Sequence, residues 1–254
     1  MQIKSNRKGI ILAAGLGTRL GIENSDESCK PLILIDNMAI LIRTIHSLEI
    51  AGCDQVIIVL GHQAETIERF IRSKYCGHVR LKFVVNHKYF LQNGISVLTA
   101  KPFIEDEFIL TMADHVLDDE IMYRVRDCYP PEGGAILCVD YKLETIFDID
   151  DATKVLAEDT FIRQIGKELK EYNCIDTGVF VGSIGLMDAI DQVYKQKGDV
   201  SLSEGVQLLA DQGFMEVLDI EDAFWQDVDN TEMLSHAEKL LRLQTNHIKK
   251  SAQL

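Results

Sequence analysis

Residues Lys8–Ala14 read KGIILAA, and Gly15–Gly21 continue as GLGTRLG. An unbroken apolar run of that length is the pattern of a strand covered on both faces, as in a parallel sheet. Gly15 and Gly17 follow it directly. Glycines at such a turn permit positive φ and close backbone approach. Successive N–H groups there form a nest for an anion, and Arg19 adds a planar fork of donors suited to phosphate. The plainer reading is a tight turn with a surface arginine. The spacing is not the dinucleotide G-x-G-x-x-G, because Leu20 stands where the third glycine belongs. Nor is it a Walker A loop, since no Gly-Lys-Ser/Thr follows at the right spacing. After an acidic stretch containing Glu23, Asp26 and Glu27, Lys30–Pro31 precedes a second apolar run. A lysine at the mouth of a strand beside a glycine-rich turn suits a point charge on phosphate. That acidic stretch reads as a lid.

Outward from this segment the periods alternate. Helical spacing covers Met38–Ile50, Ala64–Lys74, Gly94–Ala100 and Asp118–Cys128. Between them, strands are expected at Gln55–Leu60, Val79–Val85, Glu107–Met112 and Gly134–Val139. Repeated β-α-β alternation predicts an α/β fold: a single Rossmann-like, doubly wound, mostly parallel mixed sheet. The character changes after Asp140. Lys154–Ala157 and Phe161–Ile165 flank a turn at Glu158–Thr160, the look of an inserted hairpin. A core strand at Gly178–Val181, helices at Ile184–Tyr194 and Ser203–Ala210, and short strands at Phe214–Leu218 and Phe224–Val228 follow. A helix at Thr231–Arg242 closes the pattern.

Composition sets bounds on partners. Across 254 residues, 26 Lys+Arg stand against 40 Asp+Glu, for a net charge of −14. Such a surface argues against a nucleic acid polymer and against uptake by an anionic membrane. Apolar stretches fall short of the ~18 residues that span a bilayer, so no membrane insertion is expected. The start lacks the pattern of a secretory signal. None of the six cysteines forms a C-x-x-C pair, which points to reduced thiols in a cytoplasmic protein rather than a zinc site. Cys29 is the thiol whose pKa a neighbouring charge, Lys30, would lower, yet no Cys/His pair marks it as a nucleophile.

The motifs together resemble a known superfamily. LAAGLGTRLG followed by Lys30–Pro31–Leu32 is similar to the signature of nucleotidyltransferases that make sugar nucleotides and related activated phosphates (the GT-A-like nucleotidyltransferase fold). Gly61–His62, Asn93–Ser96, Met112–Val116 (MADHV), Asp176–Gly178, Leu202–Glu204 and Trp225–Asp229 (WQDVD) fall in the expected order. Within the superfamily the likeness is to the CTP:inositol-1-phosphate cytidylyltransferases. It is carried by ADHV, by IRQIGKELKEYNCIDTGVFV and by WQDVDN. Phosphonate and phosphocholine cytidylyltransferases look like the next relatives.

The resemblance implies transfer of a cytidylyl group from CTP to a phosphate monoester, giving CDP-inositol if the acceptor is inositol-1-phosphate. In that reading Arg19 and Lys30 are catalytic: Arg19 clamps the outer phosphates and Lys30 stabilises charge at the α-phosphate. The nucleotide would lie against Leu12, Ala13, Ala14, Gly15, Gly17, Thr18, Arg19 and Lys30. Gly61, His62, Gln92, Asn93, Gly94 and Ser96 would border the base. Mg²⁺ would sit on Asp114 and Asp229, two carboxylates being what that ion takes beside phosphate and water. The period of a strand puts Asp227 on the same side as Asp229 and leaves the choice between them open. Lys142, Lys154, Asp176, Thr177 and Glu204 are the acceptor candidates.

Several of these have structural alternatives. Asn93 is placed to cap the helix Gly94–Ala100. Ser201 and Glu204 have capping-box spacing, and Asp229 could cap the last helix. Lys142 and Lys154 could be solvated hairpin residues. His115 reads as a neighbour supporting Asp114, His46 as a packed helix residue. One domain over residues 1–254 is expected, with 1–139 mainly for nucleotide, 140–228 mainly for acceptor and 229–254 a terminal helix. Some relatives continue into a membrane-spanning transferase, so this chain is expected to supply the soluble transferase half. The expected partners are CTP and a small phosphorylated acceptor, with a homodimer left open. Rival readings are a phosphocholine or 2-aminoethylphosphonate cytidylyltransferase, a sugar-1-phosphate uridylyl-, thymidylyl- or guanylyltransferase, and a non-catalytic nucleotide sensor. An NAD(P) oxidoreductase is disfavoured by the missing third glycine and by Lys30–Pro31.

Overall fold

The structure, a computed structural model, describes residues 7–15 and 29–251. Gly17, Thr18, Arg19 and the acidic stretch before Cys29 lie outside the described residues. Strand β1 (Arg7–Ala13) is the centre of the parallel part, flanked by β4 (Cys53–Leu60) and β6 (Phe108–Met112), with β5 (Arg80–Val85) outside β4. Its alternation explains its composition. Ile10 and Leu12 face the core built with α3 (Gly94–Ala100), α5 (Ile184–Lys197) and α6 (Leu202–Asp211). Ile11 and Ala13 face the opposite core with α1 (Ile40–Ile50), α2 (Ala64–Lys74) and α4 (Asp119–Arg126). A strand with helices on both faces has no wet side, so Ile10 to Ala13 are all apolar.

Nine strands make the main sheet, in the order β5-β4-β1-β6-β11-β8-β12-β10-β9. Here β8 is Ala135–Asp140, β9 Lys154–Glu158, β10 Phe161–Gly166, β11 Cys174–Gly182 and β12 Met215–Asp219. The long β11 runs antiparallel to both β6 and β8, and β12 runs parallel to β8. This mixed sheet between two helical layers is the α/β architecture expected. The hairpin β9–β10 turns at Asp159, which takes a positive φ of 54°.

Of the strands in two small ribbons, the sequence pattern shows only the one at Trp225–Asp227, inside the strand expected at Phe224–Val228. β2 (Leu34–Ile35) and β3 (Met38–Ala39) pair across Asp36–Asn37, both at positive φ, a two-residue turn that twists with its strands. This shortens the helix expected from Met38 to one starting at Ile40. β7 (His115–Leu117) pairs antiparallel with β13 (Trp225–Asp227). Ile35, Ile40, Val116 and Val228 then form a third apolar cluster with Ala237 and Leu241 of α7 (Thr231–Ser251). Among the described residues no helix is long and apolar enough to cross a membrane.

Candidate active site

Asp114 follows β6 at the carboxyl edge of the parallel strands, where open α/β sheets bind ligands. The β7–β13 ribbon brings residues 225–229 to it. Asp227 is opposite His115 in register, and the Val228 N–H donates to the Asp114 carbonyl at 2.9 Å. Lys30 opens a single 3-10 turn with Pro31 in its first positions. Its ammonium donates to Asp114 Oδ2 at 2.5 Å and to Asp229 Oδ1. One lysine and two aspartates far apart in the chain thus share a point in space.

The other oxygen of Asp114 is also held. His115 Nδ1 lies 2.8 Å from Asp114 Oδ1, and the His115 ring stacks on Trp225 with centroids 5.8 Å apart and 20° between planes. The Trp225 indole N–H donates to Asp140 Oδ2 at 3.0 Å. Space for His115 comes from Gly178, at φ +75°, where a Cβ would stand 2.8 Å from His115 Nε2. The register of β11 against β8 slips between Asp176 and Phe180, a bulge in the strand that carries Asp176 into the cleft.

Charges follow from this packing. Burial alone would raise Asp114, but the His115 hydrogen bond and charge and the Lys30 ammonium outweigh it and hold the carboxyl well below the usual range. Burial would lower His115, yet Asp114 and then Asp227 pull its pKa up. Lys30 is raised for the same reason, its carboxylates outweighing desolvation. Asp227 is pushed up by burial and by the nearby Asp229 and Asp114 charges. Asp176 is pushed up to about 6 by burial, against the Gly178 N–H bond and His115, which lower it. Cys29 departs from expectation: burial pushes its thiol up to about 11, so Lys30 does not activate it.

Asp114, His115, Asp176, Asp227 and Asp229 line a cleft of about 370 Å³. From the sequence candidates it gathers Leu12, Ala14, Gly15, Asn93, Ser96, Asp114, Asp176 and Asp229. Others have different positions. Ala13 packs into the opposite core. Gly61 lies against Ala14, where a Cβ would come within 2.5 Å of the Ala14 carbonyl, so it supports the turn from behind. His62 and Gln92 are exposed, and the Gln92 N–H is bound by Asp199. Gly94 is buried against Val200 rather than open to a ligand. Asn93 does not cap its own helix; its Oδ1 accepts from the Leu202 N–H at the start of α6.

The acceptor candidates differ most from expectation. The Lys154 ammonium is buried, donating to the carbonyls of Asp150, Ala152 and Lys167 at 3.1, 3.3 and 3.0 Å, so it holds the chain rather than the cleft. Thr177 is fully buried with its hydroxyl on the Cys138 carbonyl. Glu204 completes a capping box with Ser201 and pairs with Lys197 at 2.7 Å. Lys142 pairs with Asp140 at 2.8 Å and borders a second, neighbouring cavity. In their place the cleft is lined by Asp151, Thr153 and Lys167, with Lys167 paired to Asp151 at 2.8 Å, and by Tyr89 and Leu91 at the other end. Lys167 lies within the stretch that carries the resemblance, the one sequence signal that could have found it.

Asp114 at the end of a parallel strand, Asp229 just after the β7–β13 ribbon and Lys30 on a 3-10 turn meet at one point, and this chain is a nucleotidyltransferase. It belongs to the MobA-like NTP transferase domain family, whose model matches residues 9–211. Among curated relatives it is 34% identical over 235 residues to a bifunctional IPC transferase and DIPP synthase of Archaeoglobus fulgidus, covering 92% of this chain and 44% of the relative. The protein of the same description from Thermococcus kodakarensis is 32% identical over 237 residues, covering 92% and 50%. The chain therefore spans about half the length of these relatives. Among solved structures, the inositol-1-phosphate CTP transferase from T. maritima superposes with a TM-score of 0.81 at 25% identity, covering 95% of this chain and 97% of that one. A UDP-glucose pyrophosphorylase complexed with UDP-glucose shares the fold, with a TM-score of 0.76 at 14% identity and coverage of 94% and 99%.

Proposed function

We propose that this protein transfers the cytidylyl group of CTP to inositol-1-phosphate, releasing pyrophosphate. The observation that carries the reading is the convergence of Lys30, Asp114 and Asp229 beneath the end of β1. The T. maritima structure supports the choice of base and acceptor. An acceptor phosphate oxygen attacks the α-phosphorus of CTP, and the bond to the bridging oxygen of the β-phosphate breaks, its electron pair leaving with pyrophosphate. A phosphate dianion is already a nucleophile near neutral pH, so no residue takes a proton. Catalysis is then alignment and charge stabilisation. Lys30 donates to the non-bridging oxygens of the α-phosphate, where charge builds. Arg19 clamps the leaving phosphates.

Asp114 and Asp229 already converge on one cation, the Lys30 ammonium, and their oxygen donors are of the hard type that Mg²⁺ prefers. Two carboxylates suffice, because that ion completes its sphere with phosphate and water. When bound, Mg²⁺ would neutralise charge on the triphosphate. Tyr89, Leu91, Asn93 and Ser96 make the nucleoside end of the cleft. With its Oδ1 engaged by Leu202, Asn93 has only amide N–H donors left, which suit the O2 and N3 acceptors of cytosine. Lys167, Asp151 and Asp176 make the acceptor end: a cation for the phosphate and carboxylates for hydroxyls. The division of the chain near residue 140 into nucleotide and acceptor parts belongs to the same proposal.

A matrix of four NTPs against phosphorylated acceptors, with Mg²⁺ and pyrophosphate as readout, tests this. CTP with inositol-1-phosphate should give the highest kcat/KM. A winning pair of UTP or dTTP with a sugar-1-phosphate would replace the proposed substrates.

A further inference from the structure

The cleft has a neighbour. A second cavity of about 330 Å³ lies beside it, and the two share Ala152, Trp225 and Asp227 as common wall. Ala152 contributes a methyl group and Asp227 a short carboxylate, so the indole of Trp225 supplies most of the partition. Both sides hold it. One ring face stacks on His115, which lines the cleft. The N–H edge is bonded to Asp140, which lines the second cavity and is 2% exposed. Asp140 is fixed in turn: its Oδ1 accepts the Lys142 backbone N–H and ammonium, each at 2.8 Å. A side chain anchored at face and edge by groups that are themselves anchored does not swing aside to admit a ligand.

We infer that Trp225 is a specificity-determining residue that sets the depth of the acceptor end of the cleft. It confines acceptors to phosphate monoesters of a compact alcohol. This rests on the cytidylyl-transfer reading. The space behind the partition has its own chemistry. Phe147, Phe224 and His236 present rings to it, and Asp148 and Asp222 carboxylates. The ammonium of Lys142 is engaged by Asp140 and by the Glu221 carbonyl. An acceptor extension that is aromatic or cationic would be accommodated there, and an anionic one repelled.

The test compares wild type, Trp225→Ala, Trp225→Leu and Trp225→Phe with CTP. Acceptors are inositol-1-phosphate and its benzyl, aminoalkyl and carboxyalkyl ethers, each ether tested as its separate positional isomers. Wild type and Trp225→Phe, which keeps a ring in the wall, should favour the unsubstituted acceptor. In Trp225→Ala, at least one benzyl or aminoalkyl isomer should gain about 10-fold or more in kcat/KM relative to inositol-1-phosphate, while no carboxyalkyl isomer gains. Trp225→Leu should move the same way and serves where the alanine variant folds poorly. Unchanged acceptor ratios in both trimmed variants would overturn the inference, as would an equal gain for the carboxyalkyl series. If wild type uses another phosphorylated acceptor, the acceptor assignment alone fails. The same ethers built on the acceptor it does use then decide the role of Trp225.

Discussion

Polar side chains in the parallel part of the sheet and in the mixed part have different fates. Beside β1 and β6, Asn93, Ser96, Asp114 and His115 all reach the cleft, and Lys30 joins them from a single turn. Around β9 to β11, Lys154 is surrounded by three carbonyls and Thr177 is sealed under Cys138, while Glu204 on α6 is bound into a helix cap. The regular parallel strands satisfy their own backbone groups, so the Asp114 carboxylate beyond β6 is held by the side chains of Lys30 and His115. The loop at 148–152 does not, and its orphan carbonyls claim the nearest ammonium before any ligand can. A cation at a strand mouth is therefore available for chemistry only where the surrounding backbone is already paired.

The strongest way to break this contrast is at the shared point. Asp114→Asn and Lys30→Ala should each lower kcat about 10²-fold or more, since in the proposed reaction both act where charge develops. Steady-state pyrophosphate release measures it, and near-full kcat in either variant would remove them from the chemistry. Lys154→Ala should act through folding instead. It leaves three carbonyls without their donor, which should cost about 3 kcal/mol in urea unfolding. Lys167→Ala should do the reverse: the acceptor KM rises about 10-fold while stability moves within about 0.5 kcal/mol, because its pair with Asp151 is exposed. Exchange of those two outcomes would make Lys154 the ligand and Lys167 the strut.

A smaller effect sharpens the picture at Asp176. Its carboxyl is raised to about 6, so the folded state bears a cost when the group is ionised and none when it is protonated. Stability should therefore fall as pH rises from about 4 through 6. Asp176→Asn should be more stable than wild type by about 1 kcal/mol at pH 8, with the gain gone near pH 4. Thermal melts across that range give the sign directly.

Much of the fold was legible. Ala64–Lys74 and Gly94–Ala100 stand where the apolar period placed them, and the β9–β10 hairpin sits around the turn read at Glu158–Thr160. Asp114 was legible as a strand-end carboxylate because β6 is a plain apolar run. Its meeting with Asp229 was not, since that depends on the pairing of β13 with the three-residue β7, too short for any period to show. The open choice between Asp227 and Asp229 takes its structural form from Lys30, which touches Asp229, whereas the Asp227 carboxylate accepts from Gln226. Lys154 and Lys167 are indistinguishable by sequence chemistry. Which one faces the cleft is settled by where the carbonyls of Asp150, Ala152 and Lys167 fall.

The most direct measurement is ³¹P NMR of CTP and inositol-1-phosphate with Mg²⁺, for wild type and Asp114→Asn. Wild type should convert the triphosphate and monoester signals into a diphosphate diester pair and free pyrophosphate in equal amounts, and Asp114→Asn should leave the spectrum essentially unchanged over the same time. Unreacted substrates with wild type, or equal conversion by the variant, would contradict cytidylyl transfer at this site.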